Sequence, residues 1–399
     1  MRSLVPLFAA SAVITLGEGS IQVVLGPYLE LRGLSAALIG TVTMTYGVAA
    51  LAARLGSGAL YRSARAPWLV AGGCVSMAIA FALLTTTGSP LLIAVLLGVD
   101  GAGYGVATTA GMAAVLERYP RNANAGSVMG WYTGATGAGY AVAGFAGGPL
   151  ADALGIVPAI LIIAAAPAVA GVLLLGILRG TAPVVAGDRS NDVSVTAAFR
   201  AVTPTVWLAF AVAFYVALVN GGLLTFFPIH ALAIGLSLTA VGTLFGVHGA
   251  AATVVRFLSG PLFRFVDYRR SLPWMVAINA AAVISLSLTG RWVLLAVAWG
   301  TIGLTRGVLR VASSALVMDD TADAGDQARG AASTVYLAGL DVGKILGPPI
   351  AGGTAQLLGL GPMFAVIGAA FGAIYLVTAV LVRRRQRADP PVPLEGSMV

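Results

Sequence analysis

The sequence predicts an all-α integral membrane protein of twelve transmembrane helices, arranged as two pseudo-symmetric six-helix bundles. Three observations lead there: too little charge for a water-facing surface, twelve apolar runs of helix length, and a repeat between the first and second halves. Of 399 residues, 58 % are hydrophobic and 10 % charged, with mean hydropathy +0.94; a soluble domain carries about 25 % charged residues. Such a chain belongs in a lipid bilayer. The net charge of +8, from 23 basic and 15 acidic residues, does not signal nucleic acid, because the arginines gather in short segments between apolar runs, as topology signals do. The single cysteine, Cys74, lies in an apolar run and excludes an internal disulfide.

A helix needs about 20 mostly apolar residues to cross the hydrocarbon. Taking Gly/Pro breaks and charges as boundaries, the runs fall at 4–28, 36–61, 67–87, 91–116, 125–150, 156–178, 204–230, 238–263, 272–289, 292–317, 329–358 and 362–382. The first run, opening "MRSLVPLFAASAVITL", lacks a convincing cleavage site and is read as a mature helix rather than a secretory signal. The polar stretch 179–203 is the longest between runs and divides the chain into an N-terminal bundle (1–178), a central loop and a C-terminal bundle (204–383), with a Pro-rich tail at 384–399 expected to be disordered. With the N-terminus inside, the inner loops hold Arg62, Arg65, Arg118, Arg121, Arg179, Arg189, Arg200, Arg264, Arg269, Arg270 and Arg329, with Arg383, Arg384, Arg385 and Arg387 at the end of the last run, whereas the outer loops hold Arg32 and Arg291. This asymmetry predicts a multi-pass protein of the cytoplasmic (inner) membrane with both termini cytoplasmic.

The repeat has a near-constant offset. "RLGSGALYR" at 54–62 meets "RFLSGPLFR" at 256–264, "GLS" at 33–35 meets "GLS" at 235–237, and Glu18-Gly19 meets Asn220-Gly221. Gly98, Gly101 and Gly105 meet Gly300, Gly303 and Gly307, and Glu117 meets Asp319. An ordered series through four helices of each half is not a product of composition alone. Internal repeats of this kind mark transporters that hold substrate near the midplane between the halves.

On these residues the sequence resembles the major facilitator superfamily over about residues 4–383. The family's loop between helices 2 and 3 carries a G-x-x-x-D-R-x-G-R-K-type motif; here "GALYRSARAP" (58–67) keeps Gly58 but places Arg62 where the acid is expected, and "GPLFRFVDYRR" (260–270) departs likewise. Charge pairs of Glu117 with Arg54 or Arg62, and of Asp319 with Arg256 or Arg264, are expected to act there as gate or structural contacts. The Gly-rich segments "GATGAGYAVAGFAGG" (134–148) and "GKILGPPIAGG" (343–353) resemble an element of proton-coupled drug exporters; small-residue packing is the alternative reading. The resemblance also implies that helices 1, 4, 7 and 10 line a cavity while 3, 6, 9 and 12 face lipid.

Ionisable residues inside apolar spans are functional candidates, because lipid penalises them unless they face a cavity or a partner. Glu18, with Asp100 and Asp341, is a proton-coupling candidate: its neighbours in sequence supply no cation, and its repeat mate Asn220 is neutral. Asp341 and Lys344, three apart, are expected to neutralise one another, and Asp100 has Arg306 or Arg310 as an alternative partner. Gln22, Tyr104, Asn220, His248, Arg306, Arg310 and Lys344 are candidate cavity residues; Arg306 and Arg310 share one face of helix 10. The two histidines, His230 and His248, lack a Cys or acidic cluster, so no metal or cofactor is expected. Without a converging nucleophile–base set the chain does not read as an enzyme, and no GxxxxGK[ST] phosphate loop is present.

The reading is a secondary transporter, monomeric, whose partners are a small molecule, protons and the bilayer. Proton-coupled efflux is preferred. The alternatives are an organic-anion carrier using Arg306, Arg310 and Lys344, and a sugar or nutrient uptake permease.

Overall fold

The computed structural model describes residues 4–118, 125–180, 203–265, 267–321 and 326–388; most of the expected central loop (181–202) and the tail beyond 388 lie outside them. Twelve helices follow one another, with no strand among the described residues. They are α1 (Val5–Leu31), α2 (Ala36–Leu60), α3 (Ala66–Leu84), α4 (Pro90–Arg118), α5 (Ala125–Leu154), α6 (Ile156–Gly180), α7 (Pro204–Ala233), α8 (Leu238–Phe265), α9 (Tyr268–Ser285), α10 (Trp292–Asp320), α11 (Asp326–Leu358) and α12 (Leu360–Ala388). Among the described residues, nine are long and apolar enough to cross a bilayer. The others are the Gly-rich α5, the short α9 with its two arginines, and α11 with its internal charges.

Observed and expected boundaries differ most at α12, which runs six residues further at its C-terminal end, and at α9, which runs four residues earlier at both ends. Asp267 explains its start: the carboxylate accepts from the backbone N–H of Arg269 (2.9 Å) and Arg270 (3.4 Å), satisfying donors that a helix start leaves orphaned. The cap draws both arginines into the first turn. At the ends of α1 and α7 the chain reverses through Gly33 (φ 82°) and Gly235 (φ 86°), a left-handed conformation glycine adopts without steric cost. Both reversals use the same bond: Leu34 N–H to the Leu29 carbonyl (3.3 Å) and Leu236 N–H to the Ala231 carbonyl (2.9 Å).

Helix packing repeats itself under a shift of six. α1 packs on α5 and α6 as α7 packs on α11 and α12; α4 packs on α2 and α3 as α10 packs on α8 and α9; α3 meets α6 as α9 meets α12. Between the two sets, α5 packs along α8 while α11 packs along α2, and α1 meets α7 near the symmetry axis. The crossings are close because they lack side chains. A Cβ on Gly144 would collide with the backbone of Gly242 and Gly246, and one on Gly40 with the Pro348 carbonyl. Small residues let backbones approach in lipid, where helix association depends on packing rather than hydrophobic burial.

Asp152, in the last turn of α5, reaches across this interface. Its carboxylate accepts from the backbone N–H groups of Leu238 (3.2 Å) and Thr239 (2.7 Å) at the start of α8. An acidic group at a helix N-terminus also complements the helix dipole. Nothing in the residue pattern along α5 alone announces this contact.

Candidate functional site

α1, α2, α4, α5, α7, α8, α10 and α11 bring charged and polar side chains to the middle of the bundle, and apart from the Arg54–Asp341 pair the two sets of six contribute opposite charge. From the first set come carboxylates and tyrosines. Glu18 and Asp100 are each 3 % exposed. Glu18 accepts one hydrogen bond, from the Gln22 amide one turn along α1 (3.3 Å). Its Oε2, and Oδ1 of Asp100, are buried without a hydrogen-bond partner. The two carboxyl groups lie within electrostatic reach of each other, and Tyr46 and Lys344 are near Glu18. Neither acid forms an ion pair among the described residues, so neither alternative arginine partner for Asp100 is realised. The hydroxyls of Tyr104 and Tyr140 stand 2.9 Å apart, and the Tyr46 and Tyr104 rings are 6.2 Å between centroids.

The second set supplies cations. Arg306 and Arg310 on α10 stand near Arg256 of α8, and Lys344 of α11 lies near Arg306, Arg310, Arg54 and Asp341. No hydrogen-bond or ion-pair partner reaches the side chains of Arg306, Arg310 or Lys344 among the described residues, and Arg306 Nε is buried without one. Lys344 is exposed and Arg306, Arg310, Tyr104, Gln22 and Asn220 are half-buried although all sit on helices that meet at the middle of the bundle. The cluster therefore opens on accessible space. Uncompensated cations at such depth are costly unless a ligand or water meets them.

Asp341 departs from the expected pattern. It does not neutralise Lys344; it pairs with Arg54 of α2 at 2.9 Å, joining the two sets of helices. α2 and α11 are packed along their length, and this brings the guanidinium to the carboxylate while Lys344 stays outside ion-pair distance.

A small cavity, about 10 Å³, lies between Asn220, Asn279, Ile302 and Arg306. It is close to the space one water needs. Asn220 Oδ1 is buried there without a protein partner. Asn279 is engaged: it accepts from the Tyr215 hydroxyl (2.9 Å) and donates to Thr305 Oγ1 (2.7 Å), tying α7, α9 and α10 together. His248 is 3 % exposed and its ring meets Trp299 edge-on at 5.4 Å. Its Nε2 has no partner.

The expected gate pairs form differently. Glu117 accepts from the hydroxyls of Tyr61 (2.9 Å) and Ser63 (2.7 Å) and lies 3.6 Å from Arg118; Arg54 and Arg62 do not pair with it. Burial and the adjacent Glu117 push the Tyr61 phenol up from its ordinary range, which keeps it a donor. Ser63 and Tyr61 flank Arg62 and turn toward Glu117, leaving Arg62 exposed. Asp319 lies 3.7 Å from Arg269 rather than pairing with Arg256; the side chain of Arg264 lies outside the described residues. Residue pattern had not singled out Tyr46 and Tyr140 from the other aromatics on lining helices, nor Asp152 at all. Each tyrosine has a glycine as its neighbour in sequence, Gly47 or Gly139, and packs against a glycine of another helix, Gly101 or Gly19, which only the structure shows.

Twelve helices packed with internal two-fold repetition around a charged centre are the architecture of a membrane transporter. Residues 7–328 match the Major Facilitator Superfamily, and the chain belongs to that family. Solved structures share the fold at low identity. A bacterial homologue of the human lysosomal transporter Spinster, in an inward-facing and occupied conformation, aligns with TM-score 0.75 at 17 % identity over 98 % of both chains. The nucleoside transporter NupG aligns with TM-score 0.77 at 15 % identity, over 96 % of this chain and 99 % of its own. No curated protein gives a significant match.

Proposed function

We propose that the protein is a proton-coupled secondary transporter of a small organic anion. It works by rocking of an N-terminal half (1–178) against a C-terminal half (204–383), connected by the loop 179–203. The observation that supports this most is the trio Arg306, Arg310 and Lys344, none of which has a carboxylate within ion-pair distance among the described residues, although Asp341 and Glu18 lie within electrostatic reach of Lys344. A carboxylate or phosphate entering between α10 and α11 supplies the missing charge, and planar guanidinium groups suit both. A neutral nucleoside, the cargo named for NupG, would leave the trio uncompensated.

Glu18 and Asp100 form the coupling site in this reading. Two unpaired carboxyl groups near one another, facing a cation cluster across the same space, provide a place to load a proton that balances the anion's charge. Binding of the anion and protonation of the pair then favour each other electrostatically. The export direction preferred from sequence leaned on Gly-rich α5 and α11. Those glycines are engaged in backbone contacts, Gly144 with α8 and Gly343 and Gly347 with α7, so small-residue packing accounts for them. In this reading the protein works as a monomer in the cytoplasmic membrane with both termini cytoplasmic; the arginine asymmetry between alternate loops supports the orientation.

The test is counterflow and gradient-driven flux in proteoliposomes with panels of carboxylates, phosphate esters, amines and neutral sugars. Saturable exchange of an anion, driven by a pH gradient, is the expected outcome. Exchange confined to amines or neutral solutes rejects the proposal.

A further inference from the structure

A second feature lies away from the centre, on the outer flank of the bundle. α9 and α10 diverge to leave a groove of about 720 Å³, bordered by Ile278, Ala281, Ala282, Leu294, Val297 and Ala298. Its floor is alanine; its walls are exposed aliphatic side chains, among them Val297 (62 % exposed) and Leu294 (50 %). Ser285 and Thr301 also border it, but each hydroxyl donates to its own helix, Ser285 to the Ala282 carbonyl and Thr301 to the Val297 carbonyl. Thr289, whose hydroxyl accepts from the Arg291 N–H (3.1 Å), lies at the Arg291 end, so the groove presents mainly hydrocarbon with its polar groups gathered at that end. At one end stands Arg291, the N-cap of α10, exposed and without a side-chain partner among the described residues. Trp292 follows it, 39 % exposed, an aromatic and a basic residue together at a helix end as at a membrane interface.

The dimensions fit one leaflet. From Arg291 to Thr301 is ten residues of α10, about 15 Å at 1.5 Å per residue. That is half of the ~30 Å hydrocarbon core. The other half of the molecule provides an internal comparison. At the 202-residue offset, Ala281 and Ala298 correspond to Ile79 and Leu96, and Arg291 to Ser89. The first half thus has larger side chains at two of the three alanine positions, keeps Ala80 at the third, has Ser76 in place of Ile278, and lacks the charge at the mouth.

We infer that the α9–α10 groove is a binding site for an anionic membrane phospholipid, its acyl chain along Ala281, Ala282 and Ala298 and its headgroup phosphate on Arg291. The phosphate would supply the charge that Arg291 lacks, and the chain would cover wall residues that no helix covers. The site is separate from the central cation cluster, so it stands whether or not the transported solute is an anion.

Native mass spectrometry of the full-length protein, titrated in detergent with phosphatidylglycerol or phosphatidylcholine, tests it. Wild type is expected to retain one phosphatidylglycerol several-fold better than phosphatidylcholine. Arg291→Gln should erase that preference. Ala281→Ile with Ala298→Leu, which copies the first half, should lower retention of both lipids, and thermal unfolding in lipid-free detergent checks that each variant is folded. Equal retention of the two lipids by wild type overturns the inference. So does a preference that survives Arg291→Gln, or retention of both lipids unchanged by the alanine pair, in folded protein.

Discussion

Arg54 and Asp341, 287 residues apart, meet at 2.9 Å and form a direct ion pair between α2 and α11. The bond crosses from one set of six helices to the other. Any motion that separates the Arg54 end of α2 from α11 must break or exchange it. Lys344, one turn from Asp341 on α11 and near Arg54, adds positive charge to the same place. An anion bound beside Lys344 would compete with Asp341 for the arginine, which links cargo to the contact that must open.

Removing either partner should therefore impair transport, and restoring the pair in reverse should recover it. Arg54→Asp or Asp341→Arg alone leaves like charges in the bundle; a cost of about 1–3 kcal/mol is expected, below the value for a fully buried pair because Arg54 retains 29 % exposure. The double swap should regain at least part of the flux in proteoliposomes. No recovery over either single variant would show that the pair does not act as a unit.

Glu18→Gln preserves shape and the Gln22 contact while removing the titrating group. Gradient-driven accumulation should disappear while counterflow at equal pH persists. Unchanged dependence on the pH gradient would remove Glu18 from the coupling role.

Arg310→Ala should weaken an anionic solute by roughly tenfold to a hundredfold in KM, the range for losing a charged hydrogen bond. A neutral analogue of similar shape should change little. Comparable losses for both would show that the residue supports packing rather than charge recognition.

Asp152→Ala removes the cap that α5 places on α8. A loss of about 1 kcal/mol is expected from the orphaned Leu238 and Thr239 donors, read as a lower Tm. Because the cap joins the two sets of helices, spin labels placed near the α5–α6 and α7–α8 turns should show a broader distance distribution. A lower Tm with an unchanged distribution would confine the carboxylate to helix capping.

The helices were legible because their signal is one-dimensional. An apolar run of about 20 residues bounded by charge specifies a spanning helix whatever its neighbours do, and α2, α6, α8 and α11 lie within three residues of the expected limits. α9 shows the limit of that reasoning: Asp267 caps the helix and takes two arginines into it, where hydropathy alone starts the helix after them. The internal repeat, equally visible in sequence, corresponds to packing that maps onto itself with a shift of six helices.

Charge inside the bilayer was also visible in sequence, since Glu18, Asp100, Arg306, Arg310, Asp341 and Lys344 interrupt apolar runs. Which of these meet was not. Spacing along α11 suggests Asp341 with Lys344, but a cross-helix partner depends on how α2 packs and rotates against α11, and that geometry selects Arg54. The same holds for Asp152, Asn279 and the α9–α10 groove. Asp152 depends on a contact between segments distant in sequence, and Asn279 and the groove depend on how α9 packs against its neighbours; tertiary packing alone decides each.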